Sequence, residues 1–283
     1  KVKLIGPAMT VYTMWWASDA NNWALKFIEE CKAKNYLCDG VSFHQYGAEM
    51  LNGQPDYSGG KNPRFKSTIK KINDKLKSVG FNNTEIWITE WGCSNWINTV
   101  RVKNNYRPVG GAFAAAIMVD ALDSGVDGMV PLRFRDPNGS NTWTEIGSIA
   151  SINGKIYPKP IYNVYRMFNM MPGSRRKAAW QNQNYQVGAL ASASNKEIGV
   201  IVYNYDWDDI HIADNSLPHD VQVKIAKQGL TGNLTVRRYL VDSQHSNVAK
   251  YVDAGQTPVM SDIDLEQVEQ FTVQASNGVI TLP

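Results

Sequence analysis

Cysteine is scarce in this sequence. Cys31, Cys38 and Cys93 are the three among 283 residues, and with no C-x-x-C spacing and no paired His beside them they form no metal-binding pattern. A Cys31–Cys38 disulfide is open to them, although buried free thiols are the default state of such residues. Charge is sparse too: charged residues make up 19% of the chain, the formal net charge is +3, and the basic clusters are Arg175-Arg176-Lys177 and Arg237-Arg238. That leaves no footprint for nucleic acid or an anionic membrane surface, and small or neutral partners are expected. No stretch approaches the roughly 20 consecutive apolar residues of a membrane span. No signal peptide is visible, and the first residue is Lys1 rather than Met, as expected of a mature or truncated product.

Apolar and aromatic residues are abundant. Hydrophobic residues make up 43% and aromatics 11%, with nine Trp, which excludes a disordered chain and suits one large domain or a barrel with an appendage. The Trp side chains either fill a large core or line a cleft for sugars and other ring-bearing ligands. Sequons begin at Asn82, Asn138 and Asn233 and would permit glycosylation in a secretory host.

Up to Gly173 one theme repeats, a short apolar run followed by an amphipathic stretch. Lys3 to Pro7 reads as a strand; from a cap at Ser18-Asp19, Trp23, Phe27, Ile28 and Cys31 fall at helical spacing. Cys38 to His44 is the second strand, and Phe65, Ile69, Ile72 and Leu76 mark a helix within Pro63 to Val79. Thr84 to Glu90 and the small-residue helix Val109 to Leu122 form the third unit, and Val126 to Phe134 with a helix over Pro160 to Met171 the fourth. Alternating strands and helices imply a parallel sheet, open or closed into a barrel. A (β/α)₈ barrel needs eight units, so four are half of one. Residues 174–283 change to short alternating strands: Gln186 to Ala193, Ile198 to Tyr205, Val221 to Ile225, Leu234 to Val241, Phe271 to Val273 and Val279 to Leu282. This reads as an antiparallel β domain packed on the α/β part, residues 1–173.

In parallel βα architectures the reacting groups gather at the C-terminal strand ends. There the sequence places Gly6-Pro7-Ala8 with a loop holding Tyr12, Trp15 and Trp16, then His44-Gln45-Tyr46, Thr89-Glu90-Trp91-Gly92, and Arg133-Phe134-Arg135-Asp136. Glu90 directly follows an apolar strand. A desolvated carboxylate there needs partners, which His44 and Tyr46 on the neighbouring strand could supply, and the set could act as nucleophile or general base. The bland alternative pairs Glu90 with Arg133 at the rim. Trp15, Trp16, Trp91 and Trp96 are expected around the same cleft, whereas Trp87 alternates within its strand as packing. Arg133 and Arg135 either face the ligand in that cleft or pair with Asp136 or Asp127. A flavodoxin-like open sheet is the rival fold, although Gly6-Pro7-Ala8 lacks the spaced glycines of a phosphate loop.

Taken in order, Gly6-Pro7-Ala8, residues 39–46 (DGVSFHQY) and 86–91 (IWITEW) resemble the fifth, sixth and seventh strand ends of clan A glycoside hydrolases, and most closely the β-xylosidase-like family 39. Residues 159–166 (KPIYNVYR) and 239–247 (YLVDSQHSN) resemble its last barrel helix and C-terminal β region. The resemblance implies the C-terminal half of a TIM barrel followed by a β-sandwich-like domain, in a secreted enzyme that degrades polysaccharide or oligosaccharide. It makes Glu90 the nucleophile of a retaining mechanism, with His44 and Tyr46 on the sugar, Tyr46 also bonded to the nucleophile, and no metal or organic cofactor. The family's acid/base Glu follows an Asn, and no Asn-Glu pair occurs here. That carboxyl is therefore expected from a separate N-terminal half, or the open half-barrel self-associates. The rival reading is a non-catalytic carbohydrate-binding protein or pseudo-enzyme that keeps the nucleophile side of the cleft and lacks the acid. Residues 131–136 (PLRFRD) differ from the xylosidases, so xylose is not implied.

Overall fold

The computed structural model describes residues 2–9, 21–51, 54–56, 62–94, 102–137, 141–179, 187–205 and 219–282. The chain opens with β1 (Ile5–Met9), α1 (Trp23–Ala33), β2 (Gly40–Leu51), β3 (Gln54–Asp56), α2 (Asn62–Ser78), β4 (Glu85–Ser94), α3 (Pro108–Ser124) and β5 (Gly128–Pro131). Strands β1, β2, β4 and β5 lie side by side in that order, all parallel, while β3 folds back antiparallel on β2. Each strand is laid beside its predecessor through a helical crossover. Right-handed crossovers that always step the same way put their helices on one face of the sheet and leave the other face for a site. A doubly wound sheet reverses at its switch point, and the described parallel strands show no reversal.

The helices form where their apolar stripes demand it. Phe65, Ile69, Ile72 and Leu76 recur along α2 at the spacing of one helical face, and they join Val41, Phe43, Ile86, Ile88, Phe113 and Ile117 in one buried core. Helix α3 starts on Pro108 and stops at Gly125, whose φ of 78° is left-handed, as a helix end favours. The expected Ser18-Asp19 cap lies outside the described residues. Helix α1 begins at Trp23, and the Asn22 Oδ1 accepts the Ala24 and Leu25 amides at 3.0 and 3.3 Å. Asn22→Ala is expected to cost about 1 kcal/mol, read as a thermal midpoint roughly 2–4 °C lower.

The fourth parallel strand is shorter than the sequence suggests, ending at Pro131, which has no N–H for the ladder. Beyond it come β6 (Ile149–Ile152), β7 (Lys155–Pro158) and α4 (Pro160–Asn169). The β6–β7 hairpin was not anticipated, yet its turn, Asn153-Gly154 with φ 48° and 75°, is a primed-turn dipeptide. The remainder is β8 (Ser174–Arg176), β9 (Val187–Ala193), β10 (Ile198–Asn204), β11 (Val223–Ala226), β12 (Gly232–Leu240), α5 (Ala249–Val252), α6 (Met260–Ile263), β13 (Glu266–Ala275) and β14 (Val279–Leu282). These strands pair antiparallel as β10-β9-β8, β12-β13 and β11-β14. The expected Phe271 to Val273 strand is the middle of the ten-residue β13. Val119 of α3 packs on Leu190 and Ile201 of the first of these sheets. Buried Asn163 of α4 donates to the Ser246 and Ile263 carbonyls at 3.1 and 2.8 Å. Among the described residues no helix is long and apolar enough to cross a membrane.

Candidate active site

One extra residue in β4 decides which way Glu90 points. Val41 pairs with Ile86 and Phe43 with Ile88, but the next pair is His44 with Glu90. The same step recurs toward β5, where Ile88 pairs with Met129 and Trp91 with Pro131. Thr89 is therefore a β-bulge, and a bulge inverts the alternation of every residue after it. In an unbroken strand Glu90 would share the face of Ile86 and Ile88, inside the apolar core. With the bulge it turns to the open face, and Trp91 turns to the helices.

The carboxylate is met there by both expected partners. The Tyr46 hydroxyl donates to Glu90 Oε1, and His44 Nδ1 lies 3.7 Å from the same oxygen. Tyr46 is 1% exposed, so its phenol is fixed by packing, whereas the side chains of His44 and Glu90 keep 21% and 28% of their surface open. A carboxylate with one oxygen held by a buried phenol and 28% of its side-chain surface open can attack an electrophilic carbon or take a proton.

The remaining expectations separate. Trp15, Trp16 and Trp96 lie outside the described residues. Trp91, expected at the rim, is a core residue 2% exposed, set against Phe113 of α3 and Tyr165 of α4 with ring centroids 6.3 and 5.8 Å away; the bulge is the reason. Trp87 packs over Gly128 and donates its Nε1–H to Glu85 at 2.9 Å. Arg133 binds Glu145 rather than Glu90, Nη1 to Oε2 at 3.1 Å. Asp136 pairs with Lys159 instead of an arginine, and Asp127 accepts the Ile86 amide at 2.8 Å. Cys31, Cys38 and Cys93 are free thiols.

Sequence reasoning missed the wall beside the site. Lys159 and Asp136 form an ion pair at 2.8 Å with both side chains wholly buried, and the Lys159 ammonium also donates to the Glu145 carbonyl at 2.6 Å. Burial pushes the Asp136 carboxyl above and the Lys159 ammonium below their ordinary values, each opposed by the other's charge. This pair holds the segment in which Glu145 meets Arg133 and Ile146 packs on Gly92, whose Cα also faces the Tyr46 ring. No local signal marks it, because Lys159 precedes a helix like any exposed lysine.

The family model for glycosyl hydrolases family 39 matches residues 1–276. No curated protein matches the chain. Among solved structures, a monomeric β-xylosidase from Caulobacter crescentus CB15 superposes with a TM-score of 0.72 at 15% identity, over 99% of this chain and 58% of that one. The family 39 enzyme of Xanthomonas axonopodis pv. citri gives 0.72 at 13% identity, over 98% and 56%, and the α-L-arabinofuranosidase of Thermotoga maritima 0.64 at 14%, over 98% and 54%. At such identities the structures speak for the fold alone, and the chain spans little more than half the length of each. The family match runs through every strand end that shapes the site, and by it the chain belongs to glycosyl hydrolases family 39.

Proposed function

We propose that the chain carries the nucleophile side of a retaining glycosidase acting on plant or microbial oligosaccharides or polysaccharides. The observation that carries this is the Glu90 carboxylate, turned out of the core by the Thr89 bulge and held through one oxygen by Tyr46. Glu90 attacks the anomeric carbon as the bond to the leaving oxygen breaks, and a second carboxyl protonates that oxygen. Water then cleaves the glycosyl ester with the second carboxyl acting as base.

The second carboxyl belongs, in this reading, to four further βα units that complete a barrel. Two observations support it. The chain covers 54–58% of its structural neighbours' length, and the two outer parallel strands present exposed apolar side chains, Leu4 and Ile5 at β1, Val130 at β5 and Phe134 just beyond. Among the described residues β1 and β5 are the outer strands of the parallel sheet, and exposed apolar side chains on outer strands call for a neighbour. The test is a screen of the complete protein on aryl glycosides, with proton NMR of the first anomer released. Retained configuration is expected; inversion overturns the nucleophile role.

Tyr46→Phe removes a hydrogen bond to a charged group, worth about 1.5–3 kcal/mol. On a competent substrate kcat is expected to fall about 10–100-fold, a larger change than in KM, because the phenol's bond is to the attacking carboxylate of Glu90. Steady-state kinetics on the variant check this.

A further inference from the structure

The position two residues past Glu90 holds no side chain. Gly92 pairs with Tyr46 across the β2–β4 ladder, as Glu90 pairs with His44, so these four residues lie together on one face of the sheet. Gly92 is buried and is not among the glycines with left-handed φ, so its backbone would accept an ordinary L residue. Space is what excludes one. A Cβ there would lie 2.5 Å from Ile146 Cδ1 and 2.8 Å from Ile146 Cγ1, closer than carbon atoms pack, and 3.5 Å from Tyr46 Cε1, in ordinary contact. Ile146 therefore occupies the place of the missing side chain, and the Tyr46 ring borders the same point.

Ile146 has little freedom to yield. Lys159 grips both ends of its segment, the ammonium donating to the Glu145 carbonyl at 2.6 Å and the backbone N–H to the Ser148 carbonyl at 3.1 Å. The Glu145 carboxylate meets Arg133 at 3.1 Å. On the other side Gly147 packs on Asp136 so closely that a Cβ would lie 2.5 Å from the Asp136 amide nitrogen. Within the side chain, Cδ1 can swing aside, but Cγ1 moves only with χ1, which is stiff in a β-branched residue. Ile146 is also 6% exposed, and a close-packed interior has few voids to receive it. Strain from an added methyl at position 92 is thus passed to the Tyr46 ring, whose hydroxyl, farthest from the backbone, moves most.

We infer that Gly92 and Ile146 are positioning residues of the glycosidase site: Ile146, seated in the space that Gly92 leaves, fixes the Tyr46 ring where its hydroxyl meets Glu90 Oε1. The inference rests on Glu90 and Tyr46 acting as proposed above, and both residues work through Tyr46 rather than on substrate.

In the complete enzyme, Gly92→Ala is expected to lower kcat on an aryl glycoside about 5–50-fold, and by no more than Tyr46→Phe does. Placed in the Tyr46→Phe background, where no hydroxyl is left to misplace, the same change should cost less than about 2-fold further. Gly92→Ala combined with Ile146→Val moves one methylene across the contact at constant volume and should restore most of kcat. Equal losses in both backgrounds, or native kcat in Gly92→Ala, overturn the inference. A Tyr46→Phe variant with native kcat overturns instead the role of the phenol on which it rests. A second readout needs no turnover. With tyrosine carrying ¹³C at the ring carbon that bears the hydroxyl, the Tyr46 resonance is assigned by its loss in Tyr46→Phe. It is expected to move in Gly92→Ala in the same direction as in Glu90→Ala, which removes the acceptor, and to return in the paired variant; an unmoved resonance overturns the inference. Should Gly92→Ala fail to fold, Ile146→Val alone loosens the same contact. It is expected to move the resonance and lower kcat about 2–5-fold, again only where Tyr46 keeps its hydroxyl, and no change in either overturns the inference.

Discussion

Glu90→Gln in the complete enzyme is expected to lower turnover of aryl glycosides by at least about 10³-fold while leaving ligand binding measurable. The amide has the shape of the carboxylate, and its oxygen can still accept the Tyr46 hydroxyl that now meets Oε1. Packing around Tyr46, 1% exposed, is therefore preserved, and what disappears is the negative charge and lone pair that attack the anomeric carbon. The smaller Glu90→Ala variant separates a nucleophile from a general base. Added azide can occupy the vacated space and attack in place of the carboxylate, giving a glycosyl azide of inverted configuration. That product, identified by NMR beside a retained configuration in the native reaction, supports the nucleophile role, since a general base of an inverting enzyme would give inversion in both. Undiminished turnover in Glu90→Gln removes Glu90 from the mechanism.

The importance of Glu90 is legible in the sequence because an acid at the end of Ile86-Trp87-Ile88-Thr89 has no ordinary reason to follow an apolar strand. Its direction is not legible. By simple alternation Ile86, Ile88 and Glu90 share one face and Trp87 and Trp91 the other, which would bury the acid and put Trp91 on the open side. The extra residue Thr89 exchanges the two, and a bulge is a property of the register between strands, which a single strand's residues do not encode. The α2 stripe and the sequential strand order could be read because both arise from local periodicity. The wall formed by Arg133, Glu145, Ile146 and Lys159 could not. It depends on Lys159 reaching Asp136, 23 positions earlier, across a hairpin and a loop.

That reach yields the largest stability effect expected in the molecule. Lys159→Met keeps the aliphatic volume and deletes the charge that an ion pair at 2.8 Å sets against the wholly buried Asp136 carboxylate. Breaking a buried pair from one side costs about 3–5 kcal/mol, a thermal midpoint roughly 6–20 °C lower in a chain of this size. The loss has a definite pH sign. Burial already holds Asp136 above its ordinary value, and without the ammonium the folded-state pKa rises further. A carboxyl with a raised folded pKa takes up a proton on folding, so the variant keeps its stability below the unfolded value of about 4 and loses it as pH climbs through the folded pKa. The gap between Lys159→Met and the native protein is thus expected to be small at pH 4 and widest above neutrality. Adding Asp136→Leu removes the stranded charge altogether. Since replacing both members of a buried pair with apolar groups is often neutral or stabilising, the double variant should recover most of the loss and lose the pH dependence with it. Melting curves of the native protein, Lys159→Met, Asp136→Leu and the double variant between pH 4 and 8 form the cycle that decides the matter. Additive losses, or a Lys159→Met deficit that does not change with pH, would show that Lys159 contributes packing rather than a neutralising charge.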